Sequence, residues 1–161
     1  MGNSRRLTRS DKKVDVKPTI SENLKTKLYR LSETLDEPVK DVAERLCNDG
    51  CMNTLIIEEM QKWFRRDYHH GVTWTMGNQD RPRLRIHTDT HKGKVTIKFK
   101  QKDYNQICKL AFALDITPTT TCAVLLMLTL RGRQFMQWYL GVYGSKLDEM
   151  KLREVYKILK I

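Results

Sequence analysis

Three donor side chains, Lys94, Thr96 and Lys98, recur at every second position between the apolar Val95, Ile97 and Phe99. Strand periodicity puts such donors on one face and the apolar groups on the other. Lysines on that face can neutralise phosphates or donate to guanine O6 and N7, and threonine can touch a base edge or a thymine methyl. A second alternation sets Asp15, Lys17 and Thr19 against Val14, Val16 and Ile20. Pro18 interrupts it and belongs at an edge or bulge, because proline donates no ladder hydrogen bond.

Other chemistry is poorly provided for. Cys47 and Cys51, with His69 and His70 downstream, and the pair His87 and His91 have zinc-binding residue types. Both cysteines fall on or near an apolar helical face, and Cys108 and Cys122 look like core residues. Buried thiols are therefore expected, with no metal. No nucleophile elbow, paired-carboxylate site or phosphate-cradling glycine loop is present, so neither an enzyme nor a cofactor is expected. Trp63, Phe64, Trp138 and Tyr139 could stack on bases. Their helical spacing among leucines and methionines favours core packing instead.

The 161 residues carry 30 Lys and Arg against 19 Asp and Glu, a formal charge of +11. Such an excess favours a polyanionic partner through counterion release. Much of it lies between Arg81 and Lys102, where eight basic residues accompany one acid, Asp89. Arg5, Arg6, Arg9, Lys12 and Lys13 form a second cluster around Asp11. No apolar run approaches the roughly 18 residues of a membrane span. The basic N-terminal stretch lacks an apolar segment of the secretory kind, and Arg6 stands where a myristoylation signal wants Ser or Thr. A cytoplasmic location, with the four cysteines reduced, is the expectation.

The elements that would position the donors follow from pattern and punctuation. Residues 1–13 read as a flexible basic arm. After the strand at 14–20, Ser21 can cap a helix carrying Leu24, Leu28, Leu31 and Leu35, which Asp36-Glu37-Pro38 ends. A second helix from Pro38 presents Val39, Val42, Ala43 and Leu46 on one face and stops at Asn48-Asp49-Gly50. A third is expected over 52–66. Residues 67–93 read as a mostly irregular linker, with a short accessory strand at Leu84 and Ile86. The strand at 94–100 precedes helices over 102–114, from Pro118 towards Leu130, and through Trp138. Gly141 and Gly144 mark a break, and Ser145 is expected to cap a last helix within 145–161.

The order strand, helix, tight turn, helix occurs twice. A shift of 79 residues superposes Val16 on Val95, Ile20 on Phe99, Leu28 on Ile107, Leu31 on Leu110 and Leu35 on Leu114. One further residue at the turn brings Pro38 onto Pro118, Val42 onto Cys122, Ala43 onto Ala123 and Leu46 onto Leu126. The motifs Leu28-x-x-Leu31-Ser32-x-x-Leu35-x-x-Pro38-Val39-x-x-Val42-Ala43 and Ile107-x-x-Leu110-Ala111-x-x-Leu114-x-x-x-Pro118, each behind a short alternating strand, resemble the ribbon-helix-helix family, the MetJ and Arc superfamily. The resemblance covers residues 14–48 and 94–130.

It implies an α+β, mostly helical fold in which tandem ribbon-helix-helix units form a two-stranded antiparallel ribbon with extra flanking helices. The units would occupy 14–66 and 94–140. The ribbon's polar face would enter the major groove of double-stranded DNA, with Asp15, Lys17, Thr19, Lys94, Thr96 and Lys98 reading bases. Phosphates would be held by Arg5, Arg6, Arg9, Lys12, Lys13 and Lys100, and by the start of each second helix, at Val39 and Lys40 and at Thr117, Thr119 and Thr120. Capping explains that threonine cluster whether or not DNA binds. A transcriptional regulator of the repressor type is the leading expectation. An accessory factor of plasmid transfer, partition or replication would bind DNA in the same manner, and a module docking acidic proteins is the alternative of another class. The chain would act as a monomeric pseudo-dimer or as a homodimer on DNA.

Overall fold

The computed structural model of the protein describes residues 12–86 and 91–160. Among the described residues the fold is α+β and 59% helical, with seven α-helices and three small antiparallel two-stranded sheets. Strands β1 (Lys13–Val16) and β2 (Thr19–Ser21) lead into α1 (Glu22–Leu35), α2 (Val39–Gly50) and α3 (Thr54–Met60). A hairpin follows, of β3 (Tyr68–His70) and β4 (Thr73–Thr75), and then β5 (Lys92–Lys94) and β6 (Ile97–Lys100). Helices α4 (Gln101–Leu114), α5 (Pro118–Arg131), α6 (Arg133–Tyr143) and α7 (Glu149–Leu159) complete the described residues.

Local chemistry accounts for the helix boundaries. The Ser21 hydroxyl accepts from the Leu24 N–H at the start of α1, and Thr117 does the same for Thr120 at the start of α5, where Pro118 takes the first turn. The ends of α1 and α4 are alike. Asp36 and Asp115 adopt left-handed conformations, φ 54° and 59°, and the next residue in each case donates back to the preceding helix, Glu37 N–H to Ser32 and Ile116 N–H to Ala111.

The core is built around α5. Thr121, Cys122, Ala123, Val124, Leu125, Leu126, Thr129 and Leu130 are buried, so this helix is covered nearly all round, by α1, α2, α3, α4 and α6. The two halves of the chain interlock. Helix α2 packs against β6, and α5 packs against β1 and β2. Helices α2 and α5 also touch each other, at a point where Cys47 Sγ lies 3.8 Å from the Cys122 carbonyl oxygen.

Several boundaries differ from the sequence-based expectation. The third helix is α3 and begins after Asn53, whose side chain accepts from the Leu55 and Ile56 N–H groups. It gives way to one 3-10 turn, Gln61–Trp63, and the chain is extended at Phe64. The Arg65 and Arg66 N–H groups then both reach the Ala113 carbonyl, at 2.8 and 3.1 Å. The segment read as a linker contains the β3–β4 hairpin, turned at Gly71 with φ 57°, and contributes Lys92 and Gly93 to β5. Leu84 is buried, and among the described residues it belongs to no strand. Gly141 is helical, and the break comes at Gly144. Asp148 caps the last helix in place of Ser145, accepting from the Lys151 N–H.

Candidate nucleic-acid interface

The strands form one ribbon in two pieces. In the first ladder Lys13 faces Lys100, Val14 faces Phe99, Asp15 faces Lys98 and Val16 faces Ile97. In the second, Thr19 faces Lys94, Ile20 faces Gly93 and Ser21 faces Lys92. The register is the same in both, so the gap is an interruption without a slip. Pro18, which has no N–H to give, sits in it, and its carbonyl still accepts from the Val95 N–H at 3.2 Å. The same register carried across the gap sets Lys17 opposite Thr96.

One register gives the ribbon two unlike faces. Val16, Pro18, Ile20, Val95, Ile97 and Phe99 are buried, and Val14 is half-buried. Asp15, Lys17, Lys94, Thr96 and Lys98 are exposed, and Thr19 is half-buried. All six expected base readers therefore lie on one polar surface, with Asp15 the single acid among them. Lys12, Lys13 and Lys100 are exposed beside it. Arg5, Arg6 and Arg9 lie outside the described residues.

The starts of α2 and α5 differ in their surroundings. At α2, Val39 is half-buried, Lys40 is exposed, and no side chain caps the helix. Asp36, Glu37 and Asp41 are close in sequence, and Glu37 pairs with Arg45, whose guanidinium stacks on Tyr143 at 4.2 Å. Burial pushes the nearby Glu44 carboxyl above its ordinary range, with Lys13 and Lys100 pulling it back. At α5, Thr117 and Thr119 are exposed, and the Thr117 hydroxyl donates to the Thr120 hydroxyl at 2.9 Å while accepting from the Thr120 N–H. Arg65, Arg66 and Arg83 converge there on Asp115, at 3.1, 3.3 and 2.9 Å. Sequence reasoning missed this cluster, because its arginines fall in the expected third helix and linker, far in sequence from Asp115.

The remaining candidates have structural explanations. Cys47, Cys51 and Cys122 are buried, and burial pushes the Cys51 thiol up to about 12 and Cys47 up strongly as well, which disfavours the thiolate a metal or nucleophile needs. Among the described residues no three His, Cys, Asp or Glu side chains are grouped to hold a metal ion, and His87 lies outside them. Cys108, expected in the core, is only half-buried and lines an open cavity of about 840 Å³ with Arg65, Lys109 and Phe112. Phe64 and Tyr139 are core residues, while Trp63 is half-buried under the Lys62 ammonium and Trp138 is 45% exposed. No single helix among the described residues is long and apolar enough to cross a membrane, and α4 and α5, whose combined length and composition would suffice, are bent by 91° at their junction.

No protein-family model matches the chain, and neither a curated protein nor a solved structure matches it.

Proposed function

We propose that the chain is a sequence-specific double-stranded DNA-binding protein, a regulator of the repressor type. In this reading it carries two ribbon-helix-helix half-units that pair within one polypeptide. The major groove, about 12 Å wide, admits a two-stranded ribbon whose strands lie about 4.8 Å apart. The observation that carries the reading is the common register of the two ladders. It collects Asp15, Lys17, Thr19, Lys94, Thr96 and Lys98 on one exposed face while their apolar neighbours fill the core. Bound there, the protein would occlude or organise an operator-like site.

The test is binding to random duplex DNA over a range of salt concentrations, followed by competition among genomic fragments. The expected result is a steep salt dependence and enrichment of one site. Binding that never discriminates among duplexes would leave only an electrostatic role. Binding to acidic proteins with none to DNA would favour a protein-docking module.

A further inference from the structure

The starts of α2 and α5, the second helix after each half of the ribbon, have unlike surroundings, and the difference lies in arginines outside the repeated motifs. Three guanidiniums, from Arg65, Arg66 and Arg83, share one carboxylate, Asp115, leaving two positive charges unmatched within the cluster. Arg65 is largely taken up by the backbone, since it also donates to the Arg81 carbonyl. Arg66 donates to the Phe112 carbonyl at 2.9 Å and lies over that ring at 4.3 Å, which fixes its plane. The Arg83 side chain is 57% exposed, and among the described residues it spends one N–H on Asp115 and engages no other acceptor. Arg66, Arg83, Thr117 and Thr120 border an open cavity of about 570 Å³.

Ile86 borders a small cavity with Thr19 and Ile20 of β2, and three residues of chain span at most about 11 Å, so the Arg83 backbone is held within that reach of a residue that neighbours the ribbon. The matching place in the first half offers nothing equivalent. Asp36 occupies the position of Asp115 and has the same left-handed backbone, but among the described residues it gathers no arginine. Arg45, nine residues further on, pairs with Glu37 and is turned onto Tyr139 and Tyr143.

We infer that Arg83, oriented with Arg66 around Asp115, is a backbone-phosphate site that grips DNA on one flank of the ribbon only. The chain then sits on its duplex in one direction, and the bound site is asymmetric in extent as well as in sequence. Forked N–H donors suit a phosphodiester better than an ammonium does, which distinguishes this flank from the lysines of the ribbon. The inference rests on the DNA-binding reading and goes beyond it.

The experiment uses the full chain on its selected duplex, with hydroxyl-radical footprinting and the salt dependence of binding. Protection should extend further on one side of the centre than on the other. Arg83→Ala and Arg83→Glu should both shorten the longer side alone. Arg83→Ala should also lower the salt slope by about one, on random duplex as well as on the selected site. Arg83→Lys should restore the slope but less of the protection. A footprint symmetric about its centre, or one that Arg83→Glu leaves unchanged while the intact chain still binds, overturns the inference and leaves the DNA-binding reading standing. Stabilisation by inorganic phosphate that depends on Arg83, with the DNA footprint unaffected, also overturns it. Failure of the intact chain to bind any duplex overturns both.

Discussion

Gly50 and Thr129 meet so closely that a Cβ on Gly50 would lie 2.8 Å from Thr129 Cγ2. This is the crossing of α2, from the first half of the chain, over α5, from the second. Together with the packing of α2 on β6 and of α5 on β1 and β2, it ties the halves into one core. The fold should therefore be complete in a monomer. Sedimentation at low concentration is expected to show a folded monomer, and Gly50→Val should cost on the order of 1–3 kcal/mol through overpacking. An obligate dimer whose dissociation melts the fold would place the strand pairing between chains.

Leu31 and Leu110 are superposed by the shift of 79 residues, and both are buried, at 2% and 0% exposure. If they are equivalent core positions, Leu31→Ala and Leu110→Ala should each cost about 2–5 kcal/mol in denaturant unfolding. A small loss at either position would break the equivalence of the two units.

His70 supplies the pH dependence. Its side chain is buried, its Nε2 has no partner among the described residues, and its ring stacks on Tyr68 at 5.2 Å. Burial holds its pKa below the ordinary 6.5. As pH falls past that value the unfolded chain takes up a proton that the folded chain resists, so stability is lost down to the folded-state value. Thermal unfolding between about pH 7.5 and about pH 5 should show this loss in the wild type and much less of it in His70→Phe. Equal pH slopes in the two proteins would remove His70 from the account.

How much could be read from the residues alone follows from how local each signal is. Alternation through Val95, Ile97 and Phe99 located β6 and its exposed lysines, and the helix boundaries at Ser21, Pro38 and Pro118 stand where turn chemistry put them. The β3–β4 hairpin was not legible, because two strands of three residues are too short to show a period. Ser145 and Asp148 are both good caps for the last helix, and only the fold decides which of them has an N–H in reach. The arginines on Asp115 left no trace in local pattern. Arg65, Arg83 and Asp115 meet only after α4 has packed beside the chain leaving α3.

If the exposed face of the ribbon reads bases, Lys98 is the side chain whose loss should show it. It faces Asp15 across the ladder and projects from the strand of cleanest alternation. A phosphate contact would weaken binding to every duplex about equally, whereas a base reader should cost on the order of 1–3 kcal/mol on the preferred site and much less elsewhere. The decisive measurement is the affinity of Lys98→Ala for the selected site and for random duplex at one fixed salt concentration. The expected result is a clear loss on the selected site, a smaller one for Thr96→Ala, and non-specific binding nearly intact. A Lys98→Ala protein that keeps the wild-type preference for the selected site would contradict it.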